Sequence, residues 1–338
     1  MKMLIAGEWV DRTDKIEVRN PYDDSLIDTV PKAAAEDLDA AIESAQRGFA
    51  AMRTLPAHER ADVLLRVSER LKADAEDLAR LLAMEVGKTV REGRTEVARA
   101  STTFRWASEE AKRIHGETVP FDAAPGAENK VGFYVREPVG LVCAITPFNF
   151  PLNLAAHKLA PAFAAGCSVV LKPASVTPLA DIRLGEILLN ILTGPGDVIG
   201  DSLVADERIR KVSFTGSAEV GKRIMKTAGL KKCTMELGSD SAVVLMDDCD
   251  LSAACERIKV GGYAVAGQVC ISTQRVLVHE RIYDEFLQTM LPLVEGLKAG
   301  DQLVESTDVG PMVTEQAAAL TEQRIAEAVA RGARVLCG

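Results

Sequence analysis

The chain predicts an α/β protein built on a doubly wound parallel sheet, and three observations carry that expectation. Apolar residues at helical spacing run through the first third. A stretch bracketed by Pro and Gly then breaks the pattern. From residue 139 onward, short apolar runs alternate with helix-period segments.

The first third reads as helical. In "AAAEDLDAAIESAQRGFAAMR", Leu38, Ile42, Ala45, Phe49 and Met52 fall on one stripe. Leu64, Val67, Leu71, Leu78 and Leu82 form a second stripe, expected as the next helix. Residues 116–138 end in the strand-like "VGFYVREP" and are expected to form an arm or hairpin. Thereafter "VGLVCAI", "CSVVL", "RKVSF", "CTMEL" and "SAVVLM" read as buried parallel strands. In such sheets ligands bind beyond the carboxyl ends of the strands, so the residues just past each run matter most.

After the first run comes "TPFNFP", where two prolines stiffen a loop that carries Asn149. As a plain reading, Asn in such a turn only caps a helix. After the second comes "KPAS", whose Lys172 suits a ribose hydroxyl or a phosphate, although strand-end lysines are commonly solvated. After the third, "TGSAEVG" opens a helix whose free N–H groups suit a pyrophosphate. The glycines of "TGPGDVIG" miss the usual dinucleotide spacing by one residue. After the fourth, Glu236 ends an apolar strand, a costly place for an acid without a task or a partner. Cys270, in "GGYAVAGQVCISTQR", sits among glycines at a loop, as a packing residue or as a nucleophile that needs close backbone approach.

Bulk properties narrow the field. At 338 residues the chain has room for about two domains. A formal charge of −9 argues against nucleic acid and anionic membranes as partners. No run of ~18 apolar residues suggests a transmembrane helix, and the N-terminus turns polar too early for a secretory signal. Seven cysteines without a CxxC pair and four scattered histidines give no metal site. Reduced thiols and a cytoplasmic location are the expectation.

Together "TPFNFP", "KPAS", "FTGS", "MELG" and "GQVC", in this order, resemble the aldehyde dehydrogenase superfamily, and the resemblance runs from "GEWVDR" to "DVGPM". It implies a Rossmann-like sheet, with 1–115 and 137–237 as the NAD(P)-binding domain. It also implies 116–136 as an oligomerisation arm and 238–338 as part of a second α/β catalytic domain. Cys270 would then be the nucleophile. A free thiol near pKa ~8.5 is only a few per cent ionised at neutral pH, so a lowered value would help. Asn149 would donate to the oxyanion with the Cys270 N–H, a donor typically worth about 3–4 kcal/mol. Glu236 would be the general base that activates water.

For the cofactor, NAD or NADP, the same resemblance nominates Ile145, Thr146, Pro147 and Phe148 on the first loop. It adds Lys172, Pro173, Ala174 and Ser175 on the second, with Gly196 and Gly200 beyond it. From the third and fourth strand ends come Phe214, Thr215, Gly216, Ser217 and Val220, then Leu237 and Gly238. Many relatives carry an acid at the Ser175 position, so NADP is admissible here and NADP or dual use is favoured. Arg105 and Arg275 are weaker candidates for reading a substrate anion. The Gly-Ser after Glu236 favours a small aldehyde of lactaldehyde or glyceraldehyde type, and a homo-oligomer is expected of a complete family member.

Two further departures from the family are visible. "LGEILLNILTGPG" is short, so a turn and much of a strand are expected to be missing near residue 190. The chain stops at "GARVLCG", where the family ordinarily continues, so a truncated catalytic domain is expected. An inactive fragment that serves as a binding or subunit-interaction module therefore stands as the alternative. Transfer of the thioester to coenzyme A is a third option, disfavoured by Glu236.

Overall fold

Two short antiparallel hairpins open the chain, β1 (Met3–Ile5) with β2 (Glu8–Val10) and β3 (Lys15–Arg19) with β4 (Leu26–Pro31). The helical reading of the first third misses them, because strands this short leave too few alternations to register. The computed structural model describes residues 1–188 and 190–338.

Helix α1 (Ala35–Met52) buries Leu38, Ile42 and Ala45, as its stripe predicts. The second stripe is two helices and not one: α2 (Ala57–Ala73) and α3 (Ala75–Val86) part at Asp74. Asp74 leaves the helical region at φ −94°, ψ 15°, and its carboxylate accepts from Arg70 Nε at 2.6 Å. Periodicity survives so small a break, which is why the stripe looks continuous. Gly87, left-handed at φ 87°, closes α3. Thr89 then caps α4 (Val90–Ala111) through a reciprocal box with Glu92.

The expected arm is a hairpin of β5 (Glu117–Val119) and β6 (Gly132–Tyr134), which leaves Val131 and Phe133 exposed. Next in the chain is the sheet, with β7 (Leu141–Ile145), α5 (Pro151–Ala164), β8 (Ser168–Lys172) and α6 (Leu179–Leu188). It continues through α7 (Asp201–Ala205), β9 (Ile209–Thr215), α8 (Ala218–Ala228) and β10 (Lys232–Glu236). The strands are parallel in the order β10-β9-β7-β8. Side chains alternate across it. Val142, Ala144, Val169 and Leu171 join the core beneath α2 to α6. Leu141, Cys143, Val170 and Val212 join the core beneath α1, α7 and α8.

The shortened segment includes Leu189, which lies outside the described residues. Just after it, Ile191 bridges β8 at Leu171 and β1 at Leu4, a one-residue bridge where much of a strand was expected to be missing. Ile191 N donates to Leu4 O at 2.7 Å, and Leu192 N to Leu171 O at 3.0 Å. The first hairpin is thereby sewn to the edge of the sheet.

The run expected as a fifth strand of this sheet, β11 (Ala242–Leu245), lies outside it and pairs in parallel with β12 (Arg275–Val278). Its pattern predicts burial, yet Val244 is exposed. An uninterrupted apolar run cannot say which sheet a strand joins. Between these strands runs α9 (Leu251–Tyr263), and after them α10 (Tyr283–Glu295). Leu245, Cys255, Ile258, Phe286 and Met290 make a small separate core there. Helix α11 (Glu315–Ala330) buries no residue.

Helix α4 packs closely on α3 at Gly93, where a Cβ would fall 2.5 Å from Ala79 O. Backbone cannot yield there as a flexible side chain would. Gly93→Ala is therefore expected to destabilise the fold by about 2 kcal/mol, read as a lowered urea midpoint with an unchanged slope.

Candidate active site

The carboxyl ends of β7, β8, β9 and β10 face one side of the sheet, as every parallel strand requires. Asn149, four residues past β7, is buried at 8 % exposure. Its Nδ2 donates to Gln268 O at 2.8 Å, and its Oδ1 accepts from Phe150 N at 3.0 Å. The amide is thereby tied to the main chain two residues before Cys270, 119 residues away in sequence.

The turn into Cys270 is unusual. Val265 (φ 50°), Ala266 (φ 53°) and Gly267 (φ 77°) are all left-handed. Gly tolerates this, but a β-branched Val does not readily, and such residues persist only where surroundings over-determine them. Here Val265 N donates to Glu92 Oε1 at 2.8 Å, while Gln268 N and Nε2 both donate to Val265 O. Gln268 Oε1 in turn accepts from Val313 N at 3.2 Å. Cys270 itself is exposed. A held turn with an open thiol suits a nucleophile better than a packing residue.

Glu236, at the end of β10, is exposed and makes no ion pair among the described residues. The desolvation cost anticipated for it is therefore absent. Its charge acts on two titratable groups of α5. Burial pushes the Lys158 ammonium down to about 8, and Glu236 pulls it back up. Burial and the charges of Arg99 and Lys158 lower the His157 pKa, while Glu236 raises it. Lys158 Nζ also donates to Thr215 Oγ1 at 2.7 Å, so that nominated cofactor residue holds the lysine.

On the opposite flank a cavity of about 140 Å³ is lined by Ile145, Lys172, Gly196, Gly200 and Val220, together with Asp197 and Arg223. Five nominated cofactor residues thus meet. Cβ positions at Gly196 and Gly200 would lie 4.0 and 3.9 Å from the Lys172 side chain, so the bare glycines keep that wall low. Burial pushes Lys172 down to about 8, and its Nζ donates to Pro173 O at 3.0 Å. Ser217 caps α8 through Val220 N. Gly216 is needed where it stands, because a Cβ would meet the Phe214 ring at 2.5 Å. The other nominees lie on neighbouring loops outside the cavity lining: Thr146, Pro147, Phe148, Pro173, Ala174, Ser175, Leu237 and Gly238. Ser175 Oγ donates to Gly194 O at 2.9 Å.

The weaker candidates are placed differently. Arg275 is tied to Asp240 through Nε at 3.1 Å, and Arg105 is exposed on α4 with no ion pair among the described residues. Arg99, not singled out in the sequence, is the α4 arginine whose charge acts on His157 of α5. Lys88, Glu92, Glu96 and Lys158 escape sequence reasoning as well. For Lys88 and Lys158 the signal is polarity inside the otherwise apolar stretches "MEVGKTV" and "NLAAHKLAPA", whereas Glu92 and Glu96 sit in the charged "VREGRTEVAR" and carry none.

Behind the first loop lies a group of buried acids. Thr146 Oγ1 donates to Asp181 Oδ2 at 2.9 Å, and Glu85 accepts from Leu179 N and Ala180 N at the start of α6. Burial raises Asp181 well above the ordinary range and Glu85 to about 8.

This chain belongs to the aldehyde dehydrogenase family, whose model matches residues 9–338. It is 43% identical to aspartate-semialdehyde dehydrogenase 1 of Pseudomonas canavaninivorans, over 96% of this chain and 70% of that protein. It is 43% identical to 3-sulfolactaldehyde dehydrogenase of Priestia aryabhattai, over 99% of this chain and 72% of that protein. Among solved structures, an NADP-dependent enzyme of E. coli superposes with a TM-score of 0.96 at 37% identity, over 100% of this chain and 72% of that one. Among the described residues no helix is long and apolar enough to cross a membrane, and no acidic, His or Cys cluster could hold a metal ion.

The Glu85 shift predicts a pH effect. Its folded pKa is raised from 4.5 to about 8, so its stabilisation is complete below about 4.5 and is lost as pH climbs through 8. Urea midpoints should therefore fall between pH 5.5 and pH 7.5, and Glu85→Gln should flatten that slope.

Proposed function

We propose that this chain oxidises a small, acid-bearing aldehyde to the carboxylic acid with NAD or NADP, using Cys270, Asn149 and Glu236. The observation that carries the reading is the Asn149 amide bonded to the main chain of the Cys270 turn. In the proposed reaction the Cys270 thiolate adds to the aldehyde carbon, forming a thiohemiacetal whose oxygen becomes an anion. The second Asn149 Nδ2–H and the Cys270 N–H stabilise that oxygen. A nicotinamide held there would supply the acceptor for the hydride that leaves the thiohemiacetal carbon, so that Cys270 is left carrying a thioester. Glu236 then takes a proton from water, hydroxide adds to the thioester, and the acid departs as the thiolate returns.

The cofactor-side residues fit a dinucleotide. The Gly196 and Gly200 wall leaves a cradle beside Lys172, and the capped start of α8 offers N–H groups to a phosphate. With no carboxylate at Ser175 to repel a 2′-phosphate, NADP use is favoured, in keeping with the E. coli neighbour. Initial rates titrated with each cofactor check this, and a strong NAD preference would overturn it. In the same reading residues 1–115 and 137–237 form the cofactor-binding unit, 116–136 an oligomerisation arm, and 238–338 the catalytic part.

For the substrate, Arg99 is exposed, free of ion pairs among the described residues, and close enough to act on His157. A guanidinium free of ion pairs, beside the helix whose His157 also feels Glu236, suits an aldehyde with a carboxylate or sulfonate, consistent with the substrates named for both relatives. Arg99→Ala should raise the KM of such an aldehyde by about tenfold and leave that of propanal unchanged. The mechanism itself is tested by a single-turnover burst. Protein mixed with sulfolactaldehyde and NADP should release reduced cofactor stoichiometric with the chain, and Cys270→Ser should abolish it. No burst with either cofactor would refute the reading.

A further inference from the structure

We infer that Lys88 is a positioning residue that fixes the main chain at Asn149, and through it the amide directed at the Cys270 turn. The inference rests on Asn149 as the oxyanion donor. Lys88 is fully buried at 0 % exposure, and Glu96 is at 1 %. The Lys88 ammonium bonds Glu96 Oε2 and donates to Asn149 O at 2.5 Å, with the Phe150 ring centroid 3.9 Å away. Glu96 Oε1 accepts from Asn153 N at 3.0 Å. One buried ion pair thus grips the chain at residue 149 and again at 153, on either side of the turn that starts α5.

Such a pair is a weak stabiliser, since apolar replacements of similar volume often fold as well or better. What it supplies is direction. The Asn149 carbonyl points to Lys88 while its side-chain amide points to Gln268 O, so rotation of the peptide at 149 would swing the amide. Lys88 also precedes Thr89 and Glu92, and Glu92 holds Val265 N. The same turn of chain therefore seats both the donor and the loop it addresses.

The test uses Lys88→Met/Glu96→Gln, which removes both charges together, and Glu96→Gln alone, which keeps an acceptor for Asn153 N should the double variant not fold. Two readouts are compared with Asn149→Ala: the burst rate constant, and the Asn149 side-chain amide signals in a nitrogen-15 spectrum, assigned by their loss in Asn149→Ala. The double variant should shift those signals and slow the burst by about tenfold, with cofactor affinity unchanged within about twofold. In the Asn149→Ala background it should slow the burst no further. Glu96→Gln should act in the same direction by less. Unmoved amide signals, or slowing that multiplies in full with Asn149→Ala, would overturn the inference. A wild-type chain without any burst refutes the proposed reaction instead, and the amide signals then decide the role of Lys88 alone.

Discussion

The first turn of α4 is where the two halves of the candidate site are joined. Lys88, Glu92 and Glu96 fall within nine consecutive positions, and their side chains reach the Asn149 loop, the turn before Cys270 and the start of α5. These links to the loops span long stretches of sequence. A parallel sheet can present loops at one end, but it cannot by itself set a loop from outside the sheet against them. Polar groups buried at a helix start can, because each bond has a direction and an unmet donor there would be costly.

Around that joint the chemistry divides by flank. Beside β7 and β8, glycines and one buried lysine leave a low-walled cavity. Beside β10, Glu236 stays exposed and acts on Lys158 and His157 of α5. The difference fits the proposed reaction, in which Lys172 would hold a ligand away from water and Glu236 would meet it.

Much of this is legible in the sequence. The strands from residue 139 to 236 are readable because each is a short apolar run followed by a loop with unusual residues, and the motifs point to the family without any coordinates. Gly196, Gly200, Lys172, Ile145 and Val220 do line one cavity. What escapes is anything resting on contacts between distant segments. A capping box at Thr89 has a local signature, but that Glu92 also serves Val265 has none. The break at Asp74 leaves the apolar stripe intact, the first hairpins are too short to alternate visibly, and β11 carries no mark of which sheet it joins.

The short seam that stitches β8 to the first hairpin has its own consequence. Among the described residues it holds through Leu171 N to Asn190 O, Leu192 N to Leu171 O, Ile191 N to Leu4 O and Ala6 N to Asn190 Oδ1, so fraying of that border needs few ruptures. Once open, the border would bare the amides of β8, the strand that ends in Lys172. The anchoring of the first ten residues and the integrity of the cofactor flank are then one mechanical problem. Slackness at the extreme amino end would be felt in the cavity beside Lys172, far from it along the polypeptide.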